Sequence, residues 1–228
     1  MEITTVSQNY LKKYRQIIWD WNGTLLDDVW LCVEVMNEML AKRNLHEITI
    51  EKYRGIFDFP VRTYYQNIGF DFKNEPFEKV GNDFIIRYNR RQYECNLQAG
   101  AEDVLKYFKK QGIQQSVLSA REHDTLIQNL NFFRLREYFD QISGLGDIYA
   151  NGKNQTGKQL INDLRSDNSG ILFIGDTLHD IEVAEENGID CILIGHGHQS
   201  QERLINKGYP VFDTLTDFYQ ILTHNIIE

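Results

Sequence analysis

Four stretches of this sequence carry side chains suited to chemistry, and apolar runs or helical patterns adjoin each of them. Asp20 closes Gln16-Ile17-Ile18-Trp19, and Ser119 closes Gln115-Ser116-Val117-Leu118. Lys153 opens a helical pattern, while Asp176 and Asp180 follow Ile171-Leu172-Phe173-Ile174. Asp20 and Asp176 are hard oxygen ligands suited to Mg2+, which takes one or two carboxylates together with a phosphate. A hydroxyl just before a helix, as Ser119 is read, can hold a phosphate along with free backbone N–H groups. Lys153 adds positive charge for phosphoryl oxygens, which leaves Asp20 as the carboxylate able to attack phosphorus.

These groups matter only if the chain brings them together. Strand patterns at 16–19, 115–118, 139–142, 171–174, 191–194 and 211–212 alternate with helical patterns near 101–112, 122–133, 153–164 and 181–186. Such alternation implies a mainly parallel sheet covered on both faces. Its C-terminal strand ends converge on one edge, where α/β folds bind ligands. Asn22-Gly23 turns the chain after the first strand, and the glycine lets backbone approach a ligand.

No strand pattern lies between 27 and 96. Residues 29–43 place Val29, Cys32, Val33, Met36, Met39 and Leu40 at helical spacing, with Asp27 or Asp28 as N-cap. Further helices are opened by Thr49, carry Pro60 in a first turn that Gly69 ends, and run over 76–91. The expected architecture is a Rossmann-like parallel-sheet α/β core of residues 1–27 and 96–228, with an all-helical cap inserted at 28–95.

The chain has 228 residues, 42% apolar and 25% charged, enough for one good core and a small second module. A net charge of −9 argues against nucleic acid or an anionic membrane as partner. Arg87, Arg90 and Arg91 form the one dense basic patch and read as the solvated side of a helix. No leader pattern is evident, and no apolar run reaches the ~18 residues that span a bilayer. Cys32, Cys95 and Cys191 fit neither a disulfide framework nor a zinc site, so a reducing cytoplasm is expected. Monomer and homodimer both stay open.

The ordered set of Asp20-Trp21-Asn22-Gly23-Thr24, Val117-Leu118-Ser119-Ala120, Lys153 and Gly175-Asp176-Thr177-Leu178-His179-Asp180 resembles the haloacid dehalogenase superfamily. The likeness is to its phosphoglycolate-phosphatase-like branch, which has a helical cap after the first motif. That resemblance implies hydrolysis of a small phosphorylated metabolite through an aspartyl-phosphate on Asp20. It also implies Mg2+ held by Asp20, Asp176 and the Asn22 carbonyl, with Asp180 in support and Ser119, Ala120 and Lys153 on the phosphate. One position departs from the family: an acid/base Asp usually stands where this chain has Asn22. An amide cannot shuttle a proton at neutral pH, and losing a general acid/base costs about 10²–10⁴ in rate. Slow hydrolysis, hydrolysis restricted to good leaving groups, and binding without useful turnover all remain open. A phosphomutase would also want an acid/base at position 22.

Other readings compete locally. Lys158 rivals Lys153 for the cationic role, although Lys153 lies nearer the loop. Thr24 reads as a brace for the turn. Gly152 to Lys158 nearly forms a P-loop but lacks the closing Ser/Thr. His196 and His198 read as polar residues at the pocket rim, since no third ligand stands at metal-binding spacing, and His179 reads as polar surface. In the cap, Arg62 or Arg54 could hold a substrate carboxylate. Phe57 and Phe59 read chiefly as cap core, with Phe59 also a candidate substrate contact.

Overall fold

The computed structural model describes residues 11–146, 153–164 and 168–223. Six parallel strands form one sheet: β1 (Gln16–Trp19), β4 (Gln114–Glu122), β5 (Gln141–Leu145), β6 (Ile171–Gly175), β7 (Asp190–Ile194) and β8 (Val211–Phe212), in the order β5-β4-β1-β6-β7-β8. The chain builds outward from β1 through β4 to β5, then crosses back to the other side of β1 for β6. Connections therefore leave β1 and β6 in opposite directions, and a crevice opens between their C-terminal ends.

Both faces of the sheet are covered, so β1 is apolar on both. Ile17 and Trp19 belong to one buried cluster with Val104, Leu105, Phe108 and Phe218. Ile18 points the other way, into Leu160, Ile161, Phe173, Ile181 and Val183. The first face packs α5 (Ala101–Lys110) and α10 (Leu215–Thr223), and the second packs α7 (Lys153–Asp163) and α8 (Leu178–Asn187). Trp19 meets its polar requirement by donating from Nε1 to Gln115 Oε1 at 3.0 Å.

Two residues of β2 (Leu26–Asp27) pair antiparallel with two of β3 (Asn96–Leu97) as a separate ribbon. Everything between them is helical or loop: α1 (Val29–Ala41), α2 (Ile50–Ile56), α3 (Val61–Asn67), α4 (Phe77–Arg91) and a 3-10 turn at Gln92–Glu94. Thr49 caps α2 by accepting from Lys52 N at 3.1 Å. Pro60 and Pro76 stand at the N-caps of α3 and α4, just outside the helices they introduce.

Several boundaries differ from those expected. β4 does not end at Ser119 but continues to Glu122 through a register irregularity, and α6 (His123–Phe132) starts only after it. Ser119 is therefore a strand residue rather than the last one before a helix. The fifth strand lies at 141–145 instead of 139–142. α8 starts at Leu178, three residues early, because Asp180 Oδ2 accepts from both Thr177 N and Oγ1 and closes the first turn. The β2–β3 ribbon, α9 (Gln201–Ile205) and α10 carried too little pattern to be read beforehand.

Phe173 is fully buried in the central strand β6. Phe173→Ala is expected to lower unfolding free energy by ~3–5 kcal/mol in urea titrations.

Candidate active site

Register fixes the site. Trp19 pairs with Ile174, and Asp20 N donates to Ile174 O at 2.9 Å, so Asp20 and Asp176 leave adjacent strands side by side. Carboxylate oxygens of Asp20, Asp176 and Asp180 all lie within 4.8 Å of one another. Lys153, the first residue of α7, is 3% exposed. Its Nζ donates to Asp20 Oδ1 in a short contact and to Asp180 Oδ1 at 2.6 Å. Lys158 is exposed, which decides between the two lysines.

The remaining bonds separate the three acids. Asp180 is saturated, since its Oδ2 also accepts from Asp176 N at 3.1 Å and from Thr177. Asp176 accepts from Thr24 Oγ1 at 2.6 Å and from His198 N at 2.6 Å. Among the described residues, Asp20 Oδ2 has only Thr24 Oγ1, at 3.5 Å. Thr24 thus braces the turn, as its position in the sequence suggests. Backbone crowds Asp176 closely: a Cβ at Gly23, whose φ is +77°, would come within 2.4 Å of Asp176 Oδ2, and one at Gly197 within 2.1 Å. Only glycine leaves that room.

Burial raises Asp20 well above the ordinary carboxylate range against the pull of Lys153. Burial also lifts Asp176 to about 6, with His198 opposing the shift and Asp180 adding to it. For Asp180 the Lys153 charge and hydrogen bonds overcome burial, and its carboxyl is held low. Burial works against the Lys153 ammonium too, but Asp180 and Asp20 keep it protonated. Three buried carboxylates against one ammonium leave an excess of negative charge. A divalent cation with a taste for oxygen fits this donor set, and it would return Asp20 and Asp176 to their charged forms. Asp20 and Asp176 have oxygens free enough to hold it, whereas the saturated Asp180 supports through Lys153 and the backbone of Asp176.

A second buried network adjoins the first. Asp28 stands at the N-cap of α1 but makes no capping bond with its side chain. It points inward instead, accepting from Gly23 N at 2.9 Å, Asn22 Nδ2 at 2.8 Å and Tyr88 Oη at 2.7 Å. His198 Nε2 lies 3.2 Å from Asp28 Oδ1, and its Nδ1 lies 2.8 Å from Tyr53 Oη. Burial would raise Asp28, yet His198 and the hydrogen bonds bring it down to about 2. Burial would lower His198, yet Asp28 and then Asp176 bring it up to about 9. His198 is therefore a buried residue paired with Asp28 and not a polar residue at the rim. Asn22 Nδ2 faces this pair, 2.8 Å from Asp28 Oδ2 and 3.0 Å from Tyr88 Oη.

Ser119 and Ala120 line a cavity of about 190 Å³ together with Asp20, Asn22, Lys153 and Phe59. Ser119 Oγ accepts from Arg121 N at 3.2 Å. Arg62 is not among the residues lining the cavity; its guanidinium covers the rings of Phe72 and Phe77 at 5.1 and 5.5 Å. Arg54 donates to Gly197 O at 2.9 Å and His196 O at 2.6 Å, which ties α2 to the loop after β7. Phe59 stacks near His179, with ring centroids 4.7 Å apart, and His179 pairs with Glu182 at 3.1 Å. Gly152, which opens the near-P-loop, lies outside the described residues.

A family model described as haloacid dehalogenase-like hydrolase matches residues 17–194. The chain belongs to that family. Among curated relatives, the haloacid dehalogenase-like chain is 23% identical over 203 residues to a phosphoglycolate phosphatase from Pseudomonas syringae pv. tomato, covering 86% of this chain and 72% of that one. It is 25% identical over 199 residues to a 5'-nucleotidase from Pseudomonas aeruginosa, covering 84% and 87%. In fold it is similar to a haloacid dehalogenase-like hydrolase from Streptococcus pneumoniae, with TM-score 0.78, 18% identity, and coverage of 91% and 97%. Mycobacterium tuberculosis protein tyrosine kinase A is also similar, with TM-score 0.77, 19% identity, and coverage of 92% and 99%.

Two outcomes follow from this geometry. Gly197→Ala should displace Asp176 and lower the affinity of the acid cluster for a divalent cation, read by calorimetry with Mg2+ as the probe, while circular dichroism still reports the helices. The His198 shift contributes stability that is complete below its ordinary value of 6.5 and is lost as pH rises through about 9. With metal chelated, urea melts of the wild type should lose up to ~3 kcal/mol between those limits, and His198→Gln should lose clearly less.

Proposed function

We propose that the protein is a Mg2+-dependent phosphatase that hydrolyses a small phosphorylated metabolite through an aspartyl-phosphate on Asp20. The observation that carries this reading is the cluster of Asp20, Asp176 and Asp180 around Lys153 at the crevice between β1 and β6. Mg2+, held by Asp20, Asp176 and the Asn22 carbonyl, would neutralise phosphoryl charge and orient the ester. Lys153 holds Asp20 by Oδ1, which leaves Oδ2 as the attacking oxygen. Ser119 Oγ accepts from Arg121 N, so its proton is available to a phosphoryl oxygen, alongside backbone N–H groups around Ala120.

In this reading residues 28–95 form a cap that closes over the crevice and excludes water. The two-residue ribbon at its ends and the bonds from Arg54 to the loop at 196–197 support that division. Free, buried cysteines suit a reducing cytoplasm, and no helix among the described residues is long and apolar enough to cross a membrane. A second reading, a phosphate-ligand-binding protein with weak turnover, is favoured by Asn22, an amide whose Nδ2 faces Asp28 and Tyr88.

A phosphatase assay over a metabolite panel with Mg2+ separates the two. Asp20→Ala should abolish release of phosphate. Asn22→Asp sets a carboxyl where the amide lies 2.8 Å from Asp28, so repulsion should keep one proton on the pair. That variant should gain about 10²–10⁴ on alkyl phosphates if it regains the acid/base. Wild-type activity that survives Asp20→Ala would remove the proposal.

A further inference from the structure

Resting on that reading of the site, we infer that the ester it takes is an aryl phosphate, whose ring lies against the aromatic wall that the helical insert presents to Asp20. Two independent observations converge on it.

The first is the wall. On the insert side the cavity is lined by Phe57, Phe59, Tyr64, Tyr65, Phe84 and Tyr88, with Met36, Val61 and Ile85 between them. Among the described residues of the insert, Asp28 is the only charged one at the cavity, and it is already paired with His198. The two arginines suited to a carboxylate are engaged elsewhere, Arg62 on Phe72 and Phe77 and Arg54 on backbone carbonyls. Arg121 reaches the cavity from the core; its guanidinium donates to Asn89 Oδ1 and Gln92 Oε1 of the insert and lies over Tyr88, while its Nε is buried without a partner among the described residues. A short, carboxylate-bearing ester would leave this wall unfilled. A volume near 190 Å³ is ample for a ring, since apolar cavities of ~150 Å³ take up benzene. Tyr64 adds a detail: its Oη is buried and has no hydrogen-bond partner among the described residues. A neutral polar group on the ring would give it one.

The second observation is Asn22, an amide that cannot protonate a leaving oxygen and whose Nδ2 lies against Asp28 Oδ2 and Tyr88 Oη. A phenol ionises near pKa ~10, several units below the ~15.7 of water that alkyl alcohols approach, so it can depart as an anion. In the first step the Asp20 Oδ2–P bond forms, the P–O(aryl) bond breaks, and its electron pair leaves on the phenolate oxygen. In the second, water attacks phosphorus and the aspartyl O–P bond breaks. Dihydrogen phosphate carries both protons away, and one passes through solvent to the phenolate.

The test has a binding arm and a turnover arm. With Mg2+ present, calorimetry should find phenylphosphonate bound at least about tenfold more tightly than phosphonoacetate. Phenyl phosphate should exceed phosphoglycolate in kcat/KM, and Ile85→Lys or Val61→Lys should erase both preferences. Tyr64→Phe should reduce the advantage of a ring carrying a para carboxamide over an unsubstituted one. Equal or tighter binding of phosphonoacetate overturns the inference. Asp20-dependent hydrolysis of phosphoglycolate with phenyl phosphate inert overturns it too, while leaving the phosphatase reading intact. No turnover of any ester, with phenylphosphonate still preferred, instead removes the phosphatase reading and keeps the ligand class.

Discussion

Three buried carboxylates facing one lysine form the constraint on which the rest of this molecule depends. Isolated charges are expensive to take out of water, so the fold must surround these acids with donors. Asp180 receives four, from Lys153, Asp176 N and both polar groups of Thr177, and so fixes the start of α8. Asp176 receives Thr24 and a backbone N–H from the loop after β7. Asp20 is left with Lys153 on Oδ1 and only a long contact from Thr24 Oγ1 on Oδ2. The sheet order sets these needs at a single crevice, and two glycines keep its wall thin enough for a carboxylate to sit against backbone.

Beside this centre, Asp28 and His198 form a buried pair that is linked to it through the bond from His198 N to Asp176. Asp28 begins the insert and His198 belongs to the loop after β7. Removing one partner would leave a buried charge uncompensated, a far larger cost than the loss of an exposed pair. The bonds from Arg54 and Arg203 to the facing backbone, the latter to Phe57 O at 2.6 Å, hold the same two segments together. Insert and core are thus joined across the cavity by charge rather than by apolar packing alone.

Much of this was legible from sequence because the chemistry sits at strand ends, where a polar residue interrupts an apolar run. Asp20 and Asp176 stood out for that reason, Lys153 because it opens a helical pattern, and the absence of a strand pattern between 27 and 96 marked the helical insert. Ser119 was found, but not its setting, because a strand that continues through a register irregularity into polar residues looks finished. Asp28 and His198 were misjudged for a different reason. They lie 170 residues apart, and an aspartate before a helix or a histidine in a glycine loop is locally explained already. Pairing over such a separation leaves no trace in spacing. Tyr88 and Tyr53, which complete that network, were hidden within ordinary amphipathic helices.

The ribbon of Leu26–Asp27 against Asn96–Leu97 has a consequence for how such a molecule can diversify. Departure and re-entry of the chain are only one strand spacing apart, about 4.8 Å. Any helical segment whose own termini meet at that distance could be grafted there without disturbing the crevice between β1 and β6. A lineage could therefore exchange the whole insert in a single recombination event and keep the sheet and its acid cluster intact.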